Sequence, residues 1–183
     1  ANLTSKFDAG DQIYVHAFFL KTISDLLNSK TVKKAEVKVF LYELKPPLYD
    51  YQQPSEMQLE FSTMWVSGTN LEHNRLPVDI VPSPEKTTAY GSEGIEYKKF
   101  GANYYGPVLF AKALAKLGAG EHKIIVKVSI HYAVVAEGSF IISGNDFSSY
   151  EDQSEKLNAT AGNVATQSAT LPKAEMTDKK LES

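Results

Sequence analysis

Tyrosines crowd two of the connecting segments of this chain, and their type and spacing suit ligand recognition better than those of any other residues. Tyr49 and Tyr51 occupy a short segment that is bracketed by Pro46 and Pro54. A second group lies in the polar connection over residues 87–106 and consists of Tyr90, Tyr97, Tyr104 and Tyr105. Solvent-exposed tyrosines offer rigid amphipathic area at low entropic cost, and both sugars and extended peptides stack on such rings. These six tyrosines are therefore the candidate ligand-binding residues.

A second interpretation gives the same rings a structural role. Long loops in a compact domain must pack on something, so the rings can fold back and seal the ends of the domain. Exposure of the rings to solvent distinguishes the two interpretations.

The histidines form no metal-binding pattern. His16, His73, His122 and His131 are widely separated, and no H-E-x-x-H sequence occurs. The chain contains no cysteine, which removes thiolate ligands and cysteine nucleophiles together. Two of the histidines, His16 and His131, fall in predicted strands, where their side chains can face each other across a sheet. A structural zinc site needs four convergent ligands, so these histidines are interpreted as packed residues, and neither a metal nor a cofactor is predicted.

The carboxylates show no pairing that would support acid–base catalysis. The candidates are scattered along the chain at Asp8, Asp11, Asp50, Glu60 and Asp79. A glycosidase needs two convergent carboxylates, and the spacing gives no sign of them. Nucleophile-elbow, Walker A and dinucleotide-binding patterns are also missing from the sequence. No catalytic residue is therefore predicted.

The segment from Asp8 to Asp11 resembles half of a calcium-binding loop. The full EF-hand pattern with its final glutamate is missing, so the segment is interpreted as a turn before the first strand. A calcium site shared with Asn145 and Asp146 requires that the two ends of the chain meet.

Alternation of apolar residues predicts the strands that must position these loops. Strands are predicted over residues 12–20, 35–44, 57–66, 76–81, 122–136 and 139–143, the last two as a hairpin with a turn at Glu137-Gly138. A helix is predicted over residues 107–117, with Phe110, Leu114 and Leu117 as its buried stripe and Gly118 as its end. This pattern predicts a mainly β fold, an antiparallel β-sandwich of the immunoglobulin-like type with one short helix.

The composition changes after the last predicted strand. Residues 1–147 are predicted to form the β-sandwich domain, and residues 148–183 a polar tail or linker. Ser154 to Thr170 is expected to be flexible because strong strand formers are sparse there. A second module that starts near Leu171 is the alternative.

The overall charge and hydropathy exclude two classes of partner. The net charge is −3 and no basic stripe occurs, so nucleic acid is not a predicted partner. No apolar run approaches the roughly 18–20 residues that span a bilayer, so no membrane span is predicted. The missing cysteines and a start without methionine favour an extracytoplasmic location in a bacterium.

Three functions stay open on the sequence alone. The first is a non-catalytic interaction or structural module whose partner is another protein. The second is a module that binds carbohydrate or peptide through the tyrosine-rich loops. The third is a glycosidase-like enzyme without a local motif. An exposed cluster of rings would favour the second function, and a cleft that holds two carboxylates would favour the third.

Overall fold

The chain folds into a mainly β structure, as predicted. A computed structural model describes residues 5–87, 95–97 and 106–170, with the backbone alone for 95–97 and 161–170. Its strands are β1 (Lys6–Asp8), β2 (Ile13–Phe18), β3 (Lys34–Lys45), β4 (Ser55–Ser67), β5 (Arg75–Val81), β6 (Ile95–Tyr97), β7 (Gly120–Ile130) and β8 (Ala133–Gly144). Its α-helices are α1 (Ile23–Leu26), α2 (Gly106–Leu114) and α3 (Ser149–Thr170), and a 3-10 helix spans Gly68–Glu72. The described residues therefore hold three α-helices where the sequence predicted one.

The described strands form two sheets. Six of them lie in the order β1-β8-β7-β3-β4-β6, and β2 pairs with β5 separately. Every pair is antiparallel except β1 with β8, which run parallel. The first and last described strands are thus neighbours at one side of the larger sheet.

One hydrophobic core lies between these elements. Along β3 the buried side chains are Ala35, Val37, Val39 and Leu41, which confirms the predicted alternation. The smaller sheet contributes its own buried residues to the same core, and α2 packs against β4 and β5. Helix α2 buries the predicted Phe110 and Leu114.

The predicted long strand over residues 122–136 is wrong, because the chain reverses inside it. Strand β7 ends at Ile130 and β8 begins at Ala133, so the hairpin turns at His131 and Tyr132 and not at Glu137-Gly138. Both turn residues have positive φ, 50° and 68°, which is the backbone that two-residue hairpin turns require. Glycine usually marks such a turn, and the presence of Gly138 led to the wrong prediction of a turn at Glu137-Gly138.

The expectation that Ser154 to Thr170 is flexible is also wrong. These residues belong to α3, whose side chains Tyr150, Ser154 and Leu157 are buried. They recur at helical spacing on one face of α3, and α3 contacts α2. The division of the chain at residue 147 stays a prediction, and a second module beyond Leu171 lies outside the described residues.

Candidate functional site

The loop that carries Tyr49 and Tyr51 lies at the end of the longest hairpin. Strands β3 and β4 pair from Lys34 with Ser67 to Lys45 with Ser55. The neighbouring strand β7 pairs with β3 only over Val37–Glu43, so the end of the hairpin extends beyond it. Proline cannot donate to a ladder, and the prolines that bracket the loop end both strands there.

The two tyrosine rings face solvent and lie parallel to each other. Tyr49 is 57% exposed and Tyr51 is 82% exposed. Their ring centroids are 5.5 Å apart and their planes differ by 2°. The amide of Gln52 donates to the carbonyl of Tyr49 at 2.9 Å, which closes a turn around the pair. These rings therefore form an exposed aromatic platform, here called the tyrosine platform, and do not seal the domain.

The structure brings together two of the six candidate tyrosines. The backbone of Tyr97 lies in β6, opposite Met64 of β4. Tyr90, Tyr104 and Tyr105 lie outside the described residues, and their role stays a prediction.

A polar cleft of about 460 Å³ opens beside the same hairpin, between the ends of β3 and β4 and helix α2. Its lining includes Glu43, Lys45, Glu60, Lys112 and His122. Glu43 is 4% exposed, and its Oε1 accepts from Lys45 Nζ at 2.6 Å and contacts His122 Nδ1 at 2.8 Å. The spacing of these residues in the sequence did not predict this cluster. One signal for it was available, because Glu43 continues the inward series of β3 directly after Leu41.

The charge of Glu43 is held in place by its two partners. Burial on its own would raise the pKa of this carboxyl, but the hydrogen bonds and positive charges of Lys45 and His122 outweigh it and lower the pKa below its ordinary value. Glu43 is thus an ionised carboxylate at neutral pH.

The cleft holds two carboxylates, Glu43 and Glu60. A glycosidase needs a general acid, which an ionised Glu43 does not supply. Glu60 Oε1 accepts from the amide of Phe61 at 2.9 Å. The other nitrogen of His122, Nε2, lies 2.7 Å from the carbonyl of Gly118, which leaves no ring nitrogen directed at a substrate. The cluster instead ties the chain after α2 to β3.

His16 and His131 do not meet, and Asp8 and Asp11 belong to a turn. His16 lies opposite Pro77 in the smaller sheet while His131 is in the β7–β8 turn, so the expectation that they face each other is wrong. Asp8 and Asp11 close a turn, in which the Asp8 amide donates to Asp11 Oδ2 at 2.8 Å. The ends of the described chain do meet there, since the Tyr150 hydroxyl donates to the carbonyl of Asp11 at 3.1 Å. Over the described ranges, however, no three acidic or histidine side chains gather in a group that would hold a metal ion.

No protein-family model, no curated protein and no solved structure matches this chain. Within the part of the chain that the structure describes, no helix combines the length and the apolar character needed to cross a membrane.

Proposed function

We propose that this chain is a non-catalytic module that binds carbohydrate on the tyrosine platform. The observation that carries the proposal is the exposed, parallel pair of rings at Tyr49 and Tyr51. A ligand that covers apolar rings removes their surface from water, which favours binding. A rigid pair of rings also loses little conformational freedom on binding.

The shape of the platform favours a sugar over a peptide. Extended peptides bind through main-chain hydrogen bonds and through pockets for alternate side chains. The two rings are stacked on each other, so the pair presents a flat outer ring face, which suits the flat face of a pyranose ring. Leu48, itself 85% exposed, lies in the same loop but is not part of the tyrosine platform.

The location and the architecture of the protein are also proposed. We place the module in an exported bacterial protein, on the compositional grounds given above. An immunoglobulin-like sandwich is the proposed architecture, and the two sheets that share one core support it. Folds do not dictate function, so the binding role depends on the tyrosine platform alone.

A glycan array followed by calorimetric titration tests the proposal. We expect at least one oligosaccharide to bind, and we expect the double variant Tyr49→Ala/Tyr51→Ala to lose affinity by about tenfold or more. Each ring contributes about 0.5–1.5 kcal/mol through stacking, and 1.4 kcal/mol corresponds to a factor of ten. Since both rings are exposed, the free energy of unfolding should change by no more than about 0.5 kcal/mol.

Leu48→Ala is the matched control, because it removes an exposed apolar side chain from the same loop without removing a ring. It should keep most of the affinity. Binding that persists in the double variant, or an array on which no glycan binds, would refute the proposal. Cleavage of a bound oligosaccharide would support the glycosidase-like alternative and direct attention to Glu43 and Glu60.

A further inference from the structure

Among the described residues, only part of one edge of strand β8 is paired. Strand β1 pairs with it over Ile141–Ser143. Toward the start of β8, among the described residues, no strand pairs with this edge. An open strand edge is a template for the backbone of another chain.

The ladder between β1 and β8 shows which backbone groups point outward. The amide of Ile141 donates to the carbonyl of Ser5 at 2.7 Å, and the carbonyl of Ser143 accepts from Ala9 at 2.8 Å. Because the pattern repeats every two residues, the amides and carbonyls of Ser139 and Glu137 point to the same edge. These groups therefore continue the hydrogen-bonding pattern of the β1–β8 ladder along β8.

The core-facing side of this edge is an apolar groove. Phe140 and Ile142 are buried there, and by alternation Gly138 and Ala136 face the same side. A Cβ atom added at Gly138 would meet no atom within 4 Å, so the space above it is open. Two adjoining cavities of about 200 and 180 Å³ lie along the groove. A cavity of about 150 Å³ holds a benzene-sized group, so each accepts an aliphatic side chain.

Strand β2 forms the far wall of the groove. Both cavities are lined by Val15 and His16 of β2 and by Val126 of β7. Strand β2 contacts β8 but pairs only with β5 among the described strands. The groove therefore lies between the edge of β8 and strand β2.

We propose that this groove binds an extended segment of a partner polypeptide, which adds to β8 as a strand. The segment would hydrogen-bond to Glu137 and Ser139 and would place aliphatic side chains from alternate positions in the two cavities. This is recognition by strand addition, in which the backbone supplies affinity and the pockets supply specificity. It involves none of the residues of the tyrosine platform.

Nuclear magnetic resonance of the isotope-labelled protein tests the proposal with a synthetic peptide of alternating valine and threonine. The amides of Glu137 and Ser139 should exchange with solvent rapidly in the free protein and slowly in the presence of the peptide. The amide of Gly138 points to β7 and should change little. The variant Gly138→Val fills the groove and should weaken binding by about tenfold or more.

Gly118→Ala is the matched control, because a Cβ added there also meets no atom within 4 Å. It should leave peptide affinity unchanged. Equal affinity in Gly138→Val, or protection of amides elsewhere, would overturn the proposal. A variant that lacks residues 1–4 tests the competing occupant: peptide binding to this variant alone would assign the groove to the chain's own first residues.

Discussion

At the scale of single residues, Glu43 is a buried charged group that is enclosed by two partners. It occupies the inward position that follows Leu41 in β3, and Lys45 and His122 neutralise it. A buried carboxylate is costly without such partners. The cluster therefore couples the stability of the fold to pH.

Glu43→Gln should lower the free energy of unfolding by about 2 kcal/mol at pH 7, because hydrogen bonds to a charged group are lost. The folded-state pKa of Glu43 lies below the ordinary value of 4.5. The stabilisation is therefore complete above pH 4.5 and is lost as the pH falls through the lower folded-state pKa. Urea unfolding between pH 7 and pH 3 should show the two proteins converging in acid.

The exposed pair of Glu36 with Lys38 provides the control for this experiment. Glu36→Gln should change the free energy of unfolding by less than about 1 kcal/mol, since exposed ion pairs contribute little. If the free energies of unfolding of Glu43→Gln and the parent protein differed by the same amount at all pH values, the assigned role of the Glu43 carboxylate would be contradicted.

At the scale of elements, the β7–β8 turn is built from residues that seldom adopt its backbone. His131 and Tyr132 both have positive φ, which costs about 1–2 kcal/mol for a residue other than glycine. The ring of Tyr132 offsets part of this conformational cost, because Lys38 Nζ lies 5.3 Å from its centroid in a cation–π contact.

Replacing this turn by His131→Asn with Tyr132→Gly should raise the free energy of unfolding by about 1 kcal/mol. Asparagine and glycine tolerate the positive φ that the turn requires, and this gain exceeds the lost contact with Lys38. Denaturant unfolding checks the change. Glu137→Asn creates the same Asn-Gly pair with Gly138, and it should not stabilise the protein, because both residues lie within β8. Stabilisation by Glu137→Asn would contradict the observed hairpin.

Elements with strong alternation were predictable, and elements fixed by tertiary contacts were not. The inward series of β3 follows from its own sequence. The β7–β8 turn lacks a glycine, whereas Gly138 lies in β8, where it leaves open space beside the groove. Helix α3 has a polar sequence, and its stability depends on tertiary contacts, which include the burial of Leu157 and the contact between α3 and α2.

Only part of the candidate site was predictable from the sequence. The prolines around Tyr49 and Tyr51 indicated a loop, but the exposure of the rings and their parallel arrangement depend on local turn geometry. The pairing of Glu43 with His122 joins two strands far apart in the chain, and no spacing rule in one sequence reveals it.

At the scale of the whole molecule, the first and last described segments hold each other in place. Tyr150 of α3 is buried, and its hydroxyl donates to the carbonyls of Asp8 at 3.4 Å and Asp11 at 3.1 Å. Gln153 Nε2 donates to the carbonyl of Gly10 at 2.8 Å. Helix α3 thus fastens the turn between β1 and β2.

Tyr150→Phe should lower the free energy of unfolding by about 1 kcal/mol at pH 7, because the hydrogen bonds of the hydroxyl are lost. Burial raises the pKa of Tyr150 to about 12, and the charges of Asp11 and Asp8 add to the rise. The stability that the hydroxyl contributes is therefore present below pH 10 and is lost as the pH rises through about 12. Between pH 7 and pH 11 the free energy of unfolding should decrease less in the variant than in the parent protein.

Tyr51→Phe serves as the control for that measurement, since the Tyr51 ring is exposed. It should follow the parent protein at every pH. An identical alkaline loss in Tyr150→Phe and in the parent protein would show that another group is responsible.

The parallel pairing of β1 with β8 also determines how the molecule responds to mechanical force. Tension applied to the two ends of the chain pulls β1 toward its start and β8 toward its end, in opposite directions along one ladder. The hydrogen bonds between the strands are then loaded in shear and share the force. In an antiparallel terminal pair the same tension would open the bonds one after another. The described fold therefore resists stretching at the place where its first and last strands meet.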